Sequence, residues 1–168
     1  MKAIISCHNA KVLSTVPQQP ARACNCRTPL NCPLNGHCLT ECVVYKASVS
    51  TPSKPVRCYY GLTEGPFKTR YNAHTRSFRA EQCRRDTELS KYVWELKDQN
   101  KQYDIEWSIV QRAAPYKCGT RRCDICISEK TVIATADAKS MLNKRAEIIS
   151  TCRHRAKFRL DKIASVPT

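Results

Sequence analysis

Residues 42–78, CVVYKASVSTPSKPVRCYYGLTEGPFKTRYNAHTRSF, contain the pattern that decides the fold. Two runs rich in β-branched and aromatic residues, at 42–49 and 56–62, lie on either side of the turn-rich TPSKP. They predict a two-stranded antiparallel hairpin. Because five turn residues separate the runs, we expect a long loop that contains proline.

The segment after the hairpin predicts a helix with two different faces. Its apolar residues recur at helical spacing: Phe67, Tyr71 and Phe78. Arg70 and His74 lie four residues apart and therefore share a face. The helix is expected to bury the aromatic side and to present a basic side.

Beyond this helix the periodicity changes several times. Asp86 or Thr87 can cap a second helix. Its apolar stripe consists of Leu89, Tyr92, Val93 and Leu96.

Residues 103–110, YDIEWSIV, alternate as a half-buried strand. The residues on its apolar face are Ile105, Trp107 and Ile109. Two further helices are predicted at 123–136 and 140–160, so the order β-β-α-α-β-α-α indicates an α+β fold in which helices flank a small antiparallel three-stranded sheet.

The chain is strongly basic along its whole length. Its 29 Lys and Arg against 14 Asp and Glu give a formal net charge of +15. Contacts of Lys and Arg with phosphates release condensed counterions, which favours nucleic acid as the partner. A basic protein that binds ribosomes or membrane surfaces is the alternative. The N-terminus lacks the pattern of a signal peptide and the chain lacks an apolar run of membrane-spanning length, so we expect an intracellular protein in a reducing compartment with no membrane partner.

Twelve cysteines in 168 residues require a special explanation. In a reducing compartment, clustered cysteines are better explained by zinc than by disulfides. Residues 24–42, CNCRTPLNCPLNGHCLTEC, cannot build an apolar core and predict a zinc-binding segment. Its expected ligands are Cys24, Cys26, Cys32 and Cys38, with Cys42, His37 and Cys7 as substitutes.

A second zinc site is predicted further along the chain. The Cys123–Cys126 pair has the spacing of a zinc ligand pair. Cys152 and His154 can complete the set, and Cys118 is the replacement if one of them is not a ligand. A thiol redox motif is the weaker alternative for the pair. The remaining Cys58 and Cys83 are expected to be small core residues.

The hairpin and first helix resemble the GIY-YIG endonuclease family. The segment YYGLTEGPFKTRYNAH is similar to the second family signature, a Tyr-x-Gly followed by Thr and then Arg-x-x-x-His, and CVVY is similar to the first. Val43 stands where the first signature has glycine, and Tyr60 stands where the second has isoleucine. The resemblance implies a small three-stranded α+β nuclease fold.

The same resemblance implies roles for six residues in hydrolysis of a phosphodiester. Tyr45 and Tyr59 would flank the attacking water, Arg70 would bind the phosphate, and His74 would assist proton transfer. Glu129 would hold a catalytic Mg²⁺ or Mn²⁺. Asn143 would support the site, and Glu147 is the competing carboxylate for the metal.

The sequence segments in and around these signatures also resemble the nuclease domain of Penelope-like retroelements. Seven segments recur there in this order: CNCR, CPLNGHC, VVYKA, FKTRYNAH, LSKYVWELKD, CDICISEK and LNKRAEIISTCRHR. The chain accordingly divides into a disordered leader (1–23), a cysteine-rich segment (24–42), a nuclease domain (43–160) and a tail (161–168). The resemblance implies a nuclear enzyme that nicks target DNA for target-primed reverse transcription, with RNA or a reverse-transcriptase domain as further partners. The alternative function is a catalytically inactive, zinc-stabilised module that binds nucleic acid.

Overall fold

The computed structural model describes residues 23–116, 123–144 and 152. Within these residues the fold is a small α+β arrangement with one antiparallel sheet, as predicted. The strands are β1 (Val43–Thr51), β2 (Lys54–Thr63) and β3 (Asp104–Arg112), in the order β2-β1-β3. The helices are α1 (Phe67–Ser77), α2 (Glu88–Asp98) and α3 (Asp124–Thr135). Single 3₁₀ turns occupy Pro29–Asn31 and Glu81–Cys83.

The hairpin between β1 and β2 is tighter than the sequence predicted. Thr51 pairs directly with Lys54, which leaves only Pro52 and Ser53 as the turn. Pro55 is part of β2 instead of the loop. This position is tolerated because β2 is the edge strand of the sheet, and an edge strand needs fewer backbone N–H donors. The prediction of a long loop was therefore wrong.

The core lies on one face of the central strand. Alternate residues of β1 are fully buried there: Val43, Tyr45, Ala47 and Val49. Phe67 of α1 and the α2 stripe pack against them. In that stripe Leu89, Val93 and Leu96 are buried and Tyr92 is half-buried. Thr87 caps α2, since its hydroxyl oxygen accepts the N–H of Ser90 at 3.0 Å.

The start of the last predicted helix is not helical. Residues 140–144 instead run along the outer edge of β2. Cys58 N–H donates to the Ser140 carbonyl at 2.8 Å, and Leu142 N–H donates to the Cys58 carbonyl at 2.8 Å. An exposed strand edge offers backbone groups that compete with helix formation, and this edge is covered by the segment. The rest of the predicted helix lies outside the described residues, apart from Cys152.

None of the helices in the described ranges is both long and apolar enough to cross a membrane.

Candidate active site and metal centres

The pairing of β1 with β2 places Tyr45 directly across from Gly61. A Cβ atom at position 61 would lie 2.5 Å from Tyr45 Oη and 2.7 Å from Tyr45 Cζ. The tyrosine ring therefore occupies the space that any other side chain would need. On the other side of β1, the register with β3 shifts between Val44 and Tyr45. Such bulges redirect side chains and are common beside functional sites.

Tyr45 is the centre of a hydrogen-bond network with two residues of α1. Its Oη lies 2.8 Å from His74 Nε2 and 3.1 Å from Arg70 Nε. Arginine can only donate, so the tyrosine oxygen accepts the Nε–H of Arg70 and has its own hydrogen for His74. Since Arg70 and His74 are one helical turn apart, α1 presents both to the same phenol.

Burial determines the charge of this network. His74 is 2% exposed, and burial together with the positive charge of Arg70 lowers its pKa to about 3. The imidazole is therefore neutral at physiological pH. Burial also raises the pKa of Tyr45, against the opposing effect of Arg70. The site thus contains a neutral phenol, a neutral imidazole and one permanent cation.

Tyr59 and Arg70 lie at the same place. Tyr59 projects from β2 on the core face and is buried, with its ring centroid 5.8 Å from that of His74. Burial opposes ionisation of Arg70, but its pKa is raised by Tyr45 and Tyr59 through charge and hydrogen bonding. Arg70 therefore interacts with both Tyr45 and Tyr59.

Glu129 lies on α3, and its charge reaches the network. Its carboxylate contributes to the raised pKa of Tyr45, after burial of the phenol. α3 contacts β1 and β2, and Gln111 of β3 donates to the hydroxyl of Ser128 at 3.2 Å. The structure thus brings the half-buried Glu129 within electrostatic range of Tyr45.

Asn143 binds the backbone of β2. Its Oδ1 accepts the Tyr60 N–H at 2.7 Å, and its Nδ2 donates to the Tyr60 carbonyl at 2.8 Å. Tyr60 lies between Tyr59 and Gly61, so the asparagine fixes the strand that presents both. Its placement corresponds to a positioning residue. The competing carboxylate Glu147 lies outside the described residues.

The first cysteine set comes together as predicted. The sulfur atoms of Cys24, Cys26, Cys32 and Cys38 all lie within 4.8 Å of one another. Cys26 and Cys38 are 3.6 Å apart, and Cys38 and Cys24 are 3.5 Å apart. Tetrahedral zinc with bonds of about 2.3 Å requires sulfur separations of about 3.8 Å, whereas a disulfide requires about 2.05 Å. The geometry fits a metal site and not a disulfide.

Backbone N–H groups of this segment favour the thiolate form of Cys32. Burial opposes ionisation of Cys32, but the N–H groups of Leu34 and Gly36 lower its pKa to about 6. Burial and the neighbouring thiols raise the pKa of Cys38 to about 12, so the full set ionises only with a cation present. Asn35 and Gly36 have φ of 47° and 90°, which explains the Asn-Gly at the tip of the turn.

Among the described residues, Cys42 and His37 do not join the first set. The sulfur of Cys42 lies 3.4 Å from the Glu64 carbonyl oxygen, and His37 is not part of the cluster. Cys7 lies outside the described residues. Cys58 and Cys83 are half-buried instead of fully buried, so their assignment to the core was wrong.

The second set is brought together in part. Cys123, Cys126 and Cys152 form a cluster, with the sulfurs of Cys126 and Cys152 3.5 Å apart. Cys123 is the residue that precedes α3, so a metal here would anchor the start of the helix that carries Glu129. The predicted fourth ligand His154 and its replacement Cys118 lie outside the described residues.

No local pattern indicated that the cysteine segment caps α1. The residue before α1 is Pro66, which makes no side-chain cap. The first helical N–H groups bind the cysteine segment instead: Phe67 N–H donates to Thr40 O at 2.9 Å, and Lys68 N–H donates to Cys38 O at 2.7 Å. The helix that carries Arg70 and His74 therefore begins on the carbonyl of Cys38, a member of the four-cysteine cluster.

Trp107 is a second residue whose contacts were not predicted. The sequence pattern predicted only that it lies on the apolar face of a strand. Its ring centroid lies 6.0 Å from that of Tyr45 and 5.4 Å from that of His74. The Trp107 ring therefore packs against the network on the side that faces the core. Only the alternation of β3 pointed to its burial, and nothing in the sequence pointed to its partners.

A scan against protein-family models found no match, and searches of curated proteins and of solved structures found none either.

Proposed function

We propose that this chain is a divalent-metal-dependent DNA endonuclease of the GIY-YIG type. The observation that carries the proposal is the Arg70–Tyr45–His74 network, with Tyr59 beside it and Glu129 in electrostatic range. These are the residues to which the family resemblance assigns the chemistry. They come from two strands and two helices, and a merely basic surface would not require them to meet.

Arg70 has the donors to hold a phosphate. Its Nε–H is engaged by Tyr45, while a guanidinium has five N–H groups in a planar fork. The outer N–H groups would bind non-bridging phosphate oxygens. They would stabilise the charge that develops as the leaving oxygen departs.

Tyr45 would position the attacking water. Its hydroxyl donates to neutral His74 and accepts from Arg70, which leaves one lone pair. Tyr45 is fully buried, so the attacking water would enter the network together with the substrate and donate to that lone pair. His74 keeps the phenol in this orientation by accepting its hydrogen bond, and Tyr59 would bound the water on the opposite side.

Glu129 would hold Mg²⁺ or Mn²⁺ together with water and phosphate oxygens. One carboxylate plus water and phosphate is a common ligand set for Mg²⁺, and Glu129 lies close enough to the phenol to influence its pKa. A bound cation supplies Lewis-acid activation of the phosphate and charge neutralisation. The four-cysteine set would hold a structural zinc that maintains the cap of α1, and a second zinc at the Cys123–Cys126 pair would anchor α3.

The proposed setting is that of a Penelope-like retroelement nuclease. The chain would act in the nucleus on target DNA and leave a 3′ hydroxyl that primes reverse transcription. The net charge of +15 supports a nucleic-acid substrate. The polymerase would then be supplied by a reverse-transcriptase domain.

Relaxation of supercoiled plasmid by the zinc-loaded protein tests the proposal. We expect nicking that requires added Mg²⁺ or Mn²⁺, and a loss on the order of 10²–10³-fold for Arg70→Ala. Arg76→Ala is the matched control, because Arg76 is an exposed arginine on the same helix. It should nick at nearly the parental rate.

Two results would contradict the proposal. If Arg70→Ala nicks as fast as Arg76→Ala, the network has no catalytic role. If the parental protein binds DNA but does not nick it with any divalent cation, the chain is a zinc-stabilised binding module.

A further inference from the structure

A groove separates the cysteine segment from the N-terminal half of α1. It has a volume of about 380 Å³. Its walls include Arg27, Thr28 and Asn31 from the cysteine segment and Lys68 and Tyr71 from α1. None of the described residues that line it is acidic. Two cations, two neutral polar groups and an aromatic ring suit a sugar–phosphate chain.

The positive charge of this groove is not neutralised by carboxylates. Lys68 Nζ donates to Asn25 Oδ1 at 2.7 Å and to the Asn25 carbonyl at 3.3 Å, and both acceptors are neutral. Neither Arg27 nor Lys68 forms an ion pair within the described ranges. On α2 the situation differs, since Lys91 pairs with Glu88 at 2.6 Å. Among the described residues, no carboxylate therefore offsets the charge of Arg27 or Lys68.

The groove is next to the candidate active site. Lys68 and Tyr71 share one face of α1, and Arg70 lies between them in sequence. The Tyr71 ring packs edge-on against Trp107, with centroids 5.7 Å apart, and Trp107 contacts the Tyr45 ring. Tyr71, which lines the groove, is therefore linked to the network through Trp107.

We propose that this groove binds the backbone of the DNA strand that flanks the scissile phosphate. Arg27 and Lys68 contact phosphates of neighbouring nucleotides, and Tyr71 packs against a sugar or base. The choice of DNA as ligand rests on the proposed nuclease function. The cysteine segment then has two roles, as the cap of α1 and as one wall of the substrate channel.

A competing explanation is that the two cations offset the negative charge of a metal site. Four thiolates around one Zn²⁺ leave a net negative charge, and Cys26 also lines the groove. If Arg27 and Lys68 serve only to offset that charge, their loss should lower zinc affinity and leave DNA affinity unchanged. The two explanations therefore predict different measurements.

The experiment measures DNA affinity separately from cleavage. Zinc-loaded protein with no added Mg²⁺ or Mn²⁺ is titrated against a short fluorescein-labelled duplex, and against one of its strands, over a range of salt concentrations. The variants are Arg27→Glu and Lys68→Gln, which retains a donor for Asn25. The control is Arg85→Glu, an exposed arginine beyond the far end of α1 with the same change of charge.

We expect Arg27→Glu to weaken binding by at least about tenfold, and Arg85→Glu by about twofold or less. The slope of log affinity against log salt should become shallower by about one for Lys68→Gln. Zinc content should remain parental. Equal effects of Arg27→Glu and Arg85→Glu, or a loss confined to zinc affinity, would overturn the groove assignment even if the protein nicks plasmid. Selective loss of binding in a protein that never nicks would support the groove and refute the nuclease.

Discussion

Two regions of the molecule are stabilised in different ways. One is the sheet with its helices, and the other is the cysteine segment at 24–42. The sheet core is apolar, and eight of its side chains, among them Val43, Tyr45 and Leu96, are at most 1% exposed. The cysteine segment contributes only Leu34 to this core, while Leu30 is 94% exposed. Its four cysteine sulfurs lie within 4.8 Å of one another and could hold a metal ion, so we expect a metal to maintain its order.

Helix α1 belongs to both regions. Its Phe67 ring is buried in the apolar core, and its first N–H groups bind the cysteine segment. Arg70 and His74 are therefore positioned by hydrophobic burial and by hydrogen bonds to the cysteine segment, whose sulfurs could hold a metal ion. The comparison teaches that zinc removal and core mutation should damage the site by separable routes.

The largest effect is expected from Cys38→Ser. Metal binding to zinc-finger segments is worth about 10–16 kcal/mol, and this change removes a ligand whose carbonyl also caps α1. Zinc per chain, measured by mass spectrometry of the metal, should fall by one, and nicking should be lost while the strand signal in circular dichroism persists. Cys83→Ser, outside both sets, should change neither quantity. Parental zinc content in Cys38→Ser would show that the segment is ordered without metal.

Leu96→Ala tests the other half of the comparison. Leu96 is 1% exposed in the core, so truncation should lower the free energy of unfolding by about 2–5 kcal/mol in urea titrations. Zinc content should stay parental. Leu30→Ala, an apolar truncation in the cysteine segment, should cost less than about 0.5 kcal/mol. Similar losses for the two variants would mean that the regions are not stabilised differently.

A smaller effect is expected where the core meets the site. Gly61→Ala forces a Cβ against Tyr45 Oη and should cost about 1–3 kcal/mol of unfolding free energy and slow nicking by displacing the phenol. Gly65→Ala is the matched control, since its Cβ would meet no atom within 4 Å. If both variants nick equally, the position of Tyr45 does not matter.

The effect that is smallest at neutral pH is a pH dependence of stability from His74, which grows as the pH falls. Its pKa is lowered from 6.5 to about 3 by burial and by Arg70, so the unfolded chain binds more protons than the folded one between these values. Stability from this residue is complete above pH 6.5 and is lost as pH falls towards 3. Unfolding free energies between pH 7 and 4 should fall more steeply for the parent than for His74→Gln, by up to about 1.4 kcal/mol per pH unit. Equal slopes would contradict a buried neutral imidazole.

Local sequence patterns predicted much of the fold. The alternation in β3, the Thr87 cap and the spacing of the first four cysteines depend on near neighbours, and all three agree with the structure. The network around Tyr45 was approached only through family resemblance. Composition alone gave no reason for Arg70 and His74 to meet a tyrosine 25 and 29 residues away.

What the sequence could not predict depends on distant partners. Residues 140–144 have helical periodicity, but the open edge of β2, more than 80 residues earlier, supplies backbone partners that prevail. Leu34 looks like a turn residue until the core it enters is known. The Asn143 amide likewise acquires its role from the backbone of Tyr60.

The most direct test of the proposed nuclease is the metal dependence of plasmid nicking by Glu129→Gln. Glu95→Gln, an exposed glutamate of α2, is the matched control. We predict that Glu129→Gln retains zinc and DNA affinity but nicks on the order of 10²-fold more slowly, whereas the control keeps the parental dependence on Mg²⁺. Parental nicking by Glu129→Gln at every Mg²⁺ concentration would contradict the account.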